Sequence, residues 1–239
     1  MKVNKTHLIL EAVFPQYCLL CQLRSHSPLP LCAECFTCLQ GNDHACERCA
    51  LPLNPGAGGL CSQCLTQPPA FDSVIAPLVY EPHIALLISR WKFGRERRLT
   101  QLLAVLWQAW VIPPMDRDLL LPVPLHWRRM LWRGFNQAAL LGLAIRAREP
   151  ELGLLPLRTN ILQRRRATAA QASLSGQQRS ANLQAAFQIR GDVRGLRIAV
   201  IDDVMTTGAT ADAIAQALKA AGAADVQLWC LARTPAPGS

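Results

Sequence analysis

The sequence predicts an α/β fold built on a parallel sheet, preceded by a small module held together by metal rather than by an apolar core. Two observations carry this. Eight of the ten cysteines fall into four CxxC pairs before residue 65, and from Phe71 onward apolar strand-like runs alternate with amphipathic helical ones. With 239 residues the chain can bury a real core and still carry an extra module. Hydrophobic residues are 51% and charged residues 17% of the chain, an ordinary globular composition. No apolar run reaches the roughly 18 residues that would suggest a membrane span.

The opening MKVNKTHLILEAVF reads as a short amphipathic helix over residues 1–14. It lacks a small-residue cleavage site, so the chain is read as cytoplasmic. The pairs Cys18 and Cys21, Cys32 and Cys35, Cys46 and Cys49, and Cys61 and Cys64 are separated by ten, ten and eleven residues. Each pair comes from a tight turn that aims two thiolates at one ion, and four thiolates satisfy zinc with no open position. Two closed, structural zincs are therefore expected. Redox pairs and an iron–sulfur cluster are the alternatives, but a redox CxxC sits at a strand-to-helix junction, and Pro, Gly, Asn and His surround these. Consecutive pairing is the simplest connectivity, a crossed one remaining open. Cys38 could substitute as a ligand, whereas Cys230, within VQLWCLA, reads as a core residue. This zinc-ribbon module spans residues 15–68 and ends near PPAFDSV.

Residues 69–239 form the larger domain. SVIAPLVY reads as a strand; IALLISRWKF and LTQLLAVLWQAW read as helices separated by the GRERR turn. LLLPVPL suits a buried strand and FNQAALLGLAIRA a helix. LRIAVIDDV is a strand, TADAIAQALKAAG a helix closed by Gly222, and DVQLWCLART a further strand. Strand, helix, strand in this order implies parallel pairing with right-handed crossovers.

The stretch AVIDDVMTTGAT then has an address. Asp202 and Asp203 end the strand, and Thr206, Thr207 and Gly208 turn into the next helix, where ligands of open α/β sheets bind. A Gly- and Thr-rich turn at a helix N-terminus suits a phosphate. Two carboxylates suit a diol or a magnesium ion. Diol and phosphate side by side describe a ribose 5-phosphate.

AVIDDVMTTGAT, residues 199–210, resembles the phosphoribosyl pyrophosphate (PRPP) motif of type I phosphoribosyltransferases, which with Ile198 spans residues 198–210. The resemblance implies that Asp202 and Asp203 contact the ribose. Met205, Thr206, Thr207, Gly208, Ala209 and Thr210 would wrap the 5-phosphate. FPQYCLLC, SRWKFGRERRL, LPVPLHWRRMLWRGFNQAALL and RRRATAAQASLSGQQRSANLQAAF, in this order with the PRPP motif, resemble the ComF family of competence-associated proteins, within it the GntX-type DNA utilisation proteins. That implies a type I phosphoribosyltransferase-like domain, a role in uptake or utilisation of DNA, and magnesium-dependent transfer of ribose 5-phosphate to an unknown acceptor.

The loop Val123, Pro124 and Leu125 follows a strand whose end should lie near Asp202, with Arg128, Arg129 and Arg133 close in sequence, so it is the candidate pyrophosphate grip. Asn136 can cap the following helix. The resemblance makes Arg133, Asn136 and Gln137 candidates for site or loop contacts, and Arg164, Arg166, Thr168, Gln171, Arg179 and Asn182 candidates on a loop that closes over PRPP. No general base is evident, and His126 reads as an ordinary loop residue.

The net charge is +9, nearly all of it arginine, since Lys2, Lys5, Lys92 and Lys219 are the only lysines. Arginine's planar fork suits phosphates. The competing reading is thus a non-catalytic, PRPP- or nucleotide-sensing adaptor. Its zinc ribbon would bind single-stranded DNA or a DNA-uptake partner, such as a helicase or another competence protein.

Overall fold

A computed structural model of the chain describes residues 16–27, 29–56, 58–164 and 186–236. The expected helix over 1–14 and, in the polar loop, Arg166, Thr168, Gln171, Arg179 and Asn182 lie outside the described residues. The cysteine-rich module carries two single-turn helices, α1 (Ala33–Thr37) and α2 (Ser62–Thr66). There follow β1 (Ser73–Ile75), β2 (Leu78–Val79), α3 (Pro82–Phe93), α4 (Leu99–Trp110), β3 (Leu119–Pro122), α5 (Trp127–Arg133), α6 (Gln137–Arg148) and α7 (Pro150–Gly153). The remainder is β4 (Leu162–Arg164), β5 (Phe187–Ile189), β6 (Arg197–Ile201), β7 (Val204–Met205), α8 (Ala209–Ala220), β8 (Asp225–Trp229) and β9 (Ala232–Arg233).

The parallel sheet is present, in the order β1-β8-β6-β3. Three runs expected as single strands are each two. SVIAPLVY gives β1 and β2, LRIAVIDDV with Met205 gives β6 and β7, and DVQLWCLART gives β8 and β9. The second halves form their own parallel sheet, β2-β9-β7, in the same lateral order as the first. All three breaks fall at one level, at Ala76–Pro77, Asp202–Asp203 and Cys230–Leu231. Hydrogen bonds cross the step from Cys230 N–H to Ile75 O (2.8 Å), Asp202 N–H to Trp229 O (2.9 Å) and Leu231 N–H to Asp203 O (2.9 Å). Pro77 has no N–H to give a regular ladder there. Hydrophobicity runs unbroken through two of the three steps, which is why a periodicity reading joins the halves.

Alternation along β6 divides the core. Ala199 and Ile201 point into a cluster with Trp91, Trp107 and Leu141 from α3, α4 and α6, while Ile198 and Val200 point into one with Ile214 and Leu218 of α8. Both faces are buried, as a parallel sheet requires. The cysteine module shares these cores: Cys18 and Cys32 join the first cluster, and Cys46, Cys49, Cys61 and Cys64 join the second with Phe71. Gly41 bridges Leu78 in antiparallel sense, so the segment between the two CxxC sets lies along β2.

WRRMLWR, for which the sequence suggests no separate element, is α5. His126 caps it, its side chain accepting from Arg128 N–H, and Gly134 closes it at φ 76°. Asn136 caps α6 through Ala139 N–H, and its amide donates to Val123 O at 3.0 Å. One side chain thus ties the end of β3 to the start of α6. Asn136→Ala should cost about 1–2 kcal/mol, read as a lower urea midpoint with an unchanged m-value; an unchanged midpoint would mean the cap is dispensable.

Candidate functional site

Pro122 pairs with Ile201, and Val123 N–H donates to Ile201 O at 2.9 Å, so the loop after β3 lies beside Asp202 as expected. A small pocket of about 70 Å3 opens there, lined by Val123, Asp202, Val204 and the turn from Met205 to Ala211, over Leu228 and Cys230. The turn leads into α8, a twelve-residue helix whose N-terminal N–H groups and dipole face the pocket. Gly208 has φ 81°, and a Cβ there would stand 2.7 Å from the Met205 methyl, so this position needs glycine twice over. Thr206, Thr207 and Ala209 are exposed along the turn, and Thr210 is half-buried. Met205 is buried, packing beneath the turn. Within the loop Val123–Leu125, only Val123 lines the pocket.

The two carboxylates have different surroundings. Asp203 is buried and fully engaged: Lys92 Nζ lies 2.7 Å from Oδ1, Val204 N–H donates to Oδ1 at 2.6 Å, and the Gln137 amide donates to Oδ2 at 3.0 Å. Asp202 turns to the pocket, its Oδ1 accepting from Asp203 N–H at 2.8 Å. Burial first, and then the neighbouring Asp203 charge, raises the Asp202 carboxyl to about 7. A carboxyl that changes protonation near neutral pH, which the sequence reading does not anticipate, therefore faces the pocket.

The sequence reading also passes over Lys92, named only as one of four lysines. Its signal was a single lysine on an apolar stretch of an arginine-rich chain, in SRWKF. Gln137 touches Asp203 rather than the pocket. Arg133 is buried, with its guanidinium 5.2 Å from the Phe93 ring centre and its Nε without a hydrogen-bond partner among the described residues. Arg164 ends β4, 5.8 Å over the Phe187 ring. Burial lowers the pKa of both Arg133 and Arg164; at Arg133 the Asp203 charge opposes the fall, and the like charge of Arg129 adds to the lowering at both. Arg129 thus lies within electrostatic reach of two half-desolvated guanidiniums, an arrangement that an anion would relieve. β4 pairs antiparallel with β5, with Arg164 opposite Phe187.

Two further groups suit metal. Cys18, Cys21, Cys32 and Cys35 hold their sulfurs within 4.8 Å of one another, as do Cys46, Cys49, Cys61 and Cys64. Cys21 and Cys32 Sγ are 3.8 Å apart, and Cys49 and Cys61 Sγ 3.7 Å. Ligands about 2.3 Å from a tetrahedral zinc stand about 3.8 Å from each other, so both sets fit. Burial opposes ionisation of Cys46, yet N–H groups of Cys49, Cys61 and Arg48 pull its thiol down to about 7. Pairing is consecutive. Cys38 is exposed and belongs to neither set, and Cys230 is buried under the pocket. Among the described residues no helix is long and apolar enough to cross a membrane.

The pocket and the two four-cysteine sets define the class: a phosphoribosyltransferase-type domain carrying a double zinc ribbon. The family model described as a double zinc ribbon domain matches residues 9–65, and that of a phosphoribosyl transferase domain matches residues 150–238. The chain is 37% identical over 230 residues to the DNA utilization protein YhgH of Salmonella typhi, covering 92% of this chain and 98% of that protein. It is 34% identical over 234 residues to the protein of that name in Escherichia coli K12, with the same coverage. Competence protein F of Haemophilus influenzae is 31% identical over 212 residues, covering 85% and 90%. The chain belongs to the family of these DNA utilization and competence proteins.

Asp202 gives a signed pH test. Its folded pKa, near 7, exceeds the ordinary 3.8, so below about pH 4 both states are protonated and nothing is lost. Between about 4 and 7 the folded state alone holds the proton, and stability falls by up to ~1.4 kcal/mol per pH unit as pH rises. Asp202→Asn should therefore be more stable than the parent at pH 8 and no more stable at pH 4. Equal melting differences at both pH values would refute the assignment.

Proposed function

We propose that the chain binds PRPP with magnesium and transfers its ribose 5-phosphate to an acceptor. The observation that carries this reading is the pocket that joins Asp202 to the Thr206–Thr210 turn at the N-terminus of α8. The turn takes the 5-phosphate through backbone N–H groups and threonine hydroxyls. Asp202, ionised, accepts from the ribose hydroxyls; Asp203, paired with Lys92, fixes the backbone that presents Asp202. Arg133, with its unpartnered Nε, and Arg129 and Arg164 nearby, supply cations for the pyrophosphate. A magnesium ion held with the ligand near Asp202 would supply positive charge to offset that building on the leaving group. Displacement of pyrophosphate at C1 passes through an oxocarbenium-like centre, whose charge an ionised Asp202 favours.

Calorimetry with PRPP and magnesium tests binding, and pyrophosphate release across a panel of nucleobases and amines tests transfer. Asp202→Ala should weaken binding at least about tenfold. A parent chain that binds neither PRPP nor ribose 5-phosphate sinks the reading.

A second reading, contact with single-stranded nucleic acid, is favoured by one observation. Phe93, Trp127, Leu131 and Trp132 are exposed together around α5. Arg95 lies 5.5 Å over the Trp132 ring and Arg128 5.3 Å over that of Trp127. Bases stack on such aromatics while guanidiniums take phosphates. The zinc ribbon is the poorer candidate, because between residues 15 and 68 Arg24 and Arg48 are outnumbered by Glu34, Asp43 and Glu47. Trp127→Ala and Trp132→Ala should each cost about 1–3 kcal/mol of affinity for a single-stranded oligonucleotide, with binding that weakens steeply with salt. Undiminished binding in both variants would exclude this surface.

A further inference from the structure

Arg233 is a charged side chain with 5% exposure at the end of β9, and no carboxylate among the described residues pairs with it. Its guanidinium is satisfied by backbone carbonyls instead. Nε donates to Cys49 O at 3.1 Å; Nη1 donates to Met205 O at 3.2 Å, to Thr234 O at 2.9 Å and to Thr206 O. Cys49 is one of the four cysteines of the second metal set. Met205 and Thr206 open the turn that lines the pocket. One planar fork therefore joins a metal-ligand backbone to the back of the phosphate turn, Arg233 and Cys49 standing 184 positions apart in the sequence.

The consequence follows from peptide geometry. In a trans peptide the C=O and the following N–H point in opposite directions. Carbonyls of Met205 and Thr206 held on Arg233 turn the N–H groups of Thr206 and Thr207 away from it, towards the other side of the turn. Burying a guanidinium is costly unless its donors are used, and no neutral side chain offers so many in a rigid fork. The charge also suits its setting, because four thiolates on a divalent ion leave a net negative cluster beside Cys49. The first four-cysteine set packs in the other core cluster, against α3 and α4, and makes no hydrogen bond with Arg233.

We propose that Arg233 is a positioning residue that couples the second four-cysteine metal site to the phosphate turn, so that metal held there and ligand held in the turn strengthen each other. This rests on the ribose 5-phosphate reading of the pocket. Coupling of this kind is reciprocal, and the first metal site serves as the internal control.

The experiment uses the zinc-loaded full chain, Arg233→Met and Arg233→Lys, with ribose 5-phosphate and magnesium as probe. Affinity is read by calorimetry, and zinc release site by site, as the rate at which each ligand cysteine is alkylated under chelator, mapped by peptide mass spectrometry. In the parent, ribose 5-phosphate should slow alkylation of Cys46, Cys49, Cys61 and Cys64 severalfold and leave Cys18, Cys21, Cys32 and Cys35 unchanged. Arg233→Met should weaken affinity about 10- to 100-fold and abolish that protection, with Arg233→Lys recovering part of both. Equal protection of both sets, no protection in a parent that binds, or full affinity in an Arg233→Met chain holding two zincs overturns the proposal. Should Arg233→Met not fold, the protection pattern of the parent decides. A parent that binds no ribose 5-phosphate refutes the pocket reading itself, and this inference falls with it.

Discussion

The constraint on which the rest of the structure depends is the shared step in the sheet. Three neighbouring parallel strands break at the same level and resume as a second, narrower sheet in the same order. Parallel strands in register cannot break singly without orphaning the backbone groups of their neighbours. The hydrogen bonds of Cys230, Asp202 and Leu231 across the step keep those groups paired. The step sets the acidic pair at a bend, puts Met205 and Arg233 opposite one another in β7 and β9, and leaves the turn after Met205 free to enter α8.

Charge at the bend is handled unequally, and that inequality is chemical. Asp203, although buried, is compensated by the Lys92 ammonium and by two further donors, the Gln137 amide and the Val204 N–H. Asp202 has a single backbone donor against the cost of burial and the repulsion of its neighbour, so its carboxyl is raised to about 7. Two adjacent acids thereby divide into a structural anchor and a titrating group. The arginines near α5 are also handled unequally: Arg95 and Arg128 stack on tryptophans, while Arg133 is buried with an unused donor.

Much of this was legible in sequence, and the illegible part has a common cause. The CxxC spacing read the two metal sets correctly because ligand geometry is local, a matter of two residues in a tight turn. The Asp-Asp and Thr-Thr-Gly stretch was likewise local, and the turn stands where the strand-to-helix pattern put it, with Gly222 at φ 96° beyond α8. The step in the sheet was not legible, since apolar residues such as Cys230 and Leu231 continue through it. Lys92, Gln137 and Arg233 become informative only through partners 111, 66 and 28 to 184 positions away. The loop after β3 stands beside Asp202 as strand order implied, and Asn136 caps α6 as its place in the sequence allowed, whereas the capping of α5 by His126 was not read in the sequence.

The segment between the two metal sets, lying along β2 through Gly41 and Leu78, covers an edge of the small sheet. β2 is the outer strand of the small sheet, and Val79 N–H is satisfied by Gln40 O, while Asn42 N–H reaches Pro77 O. Uncovered, such a strand is a template for pairing with another molecule. Covered by the segment around Gly41, the edge of β2 offers no such template on that side.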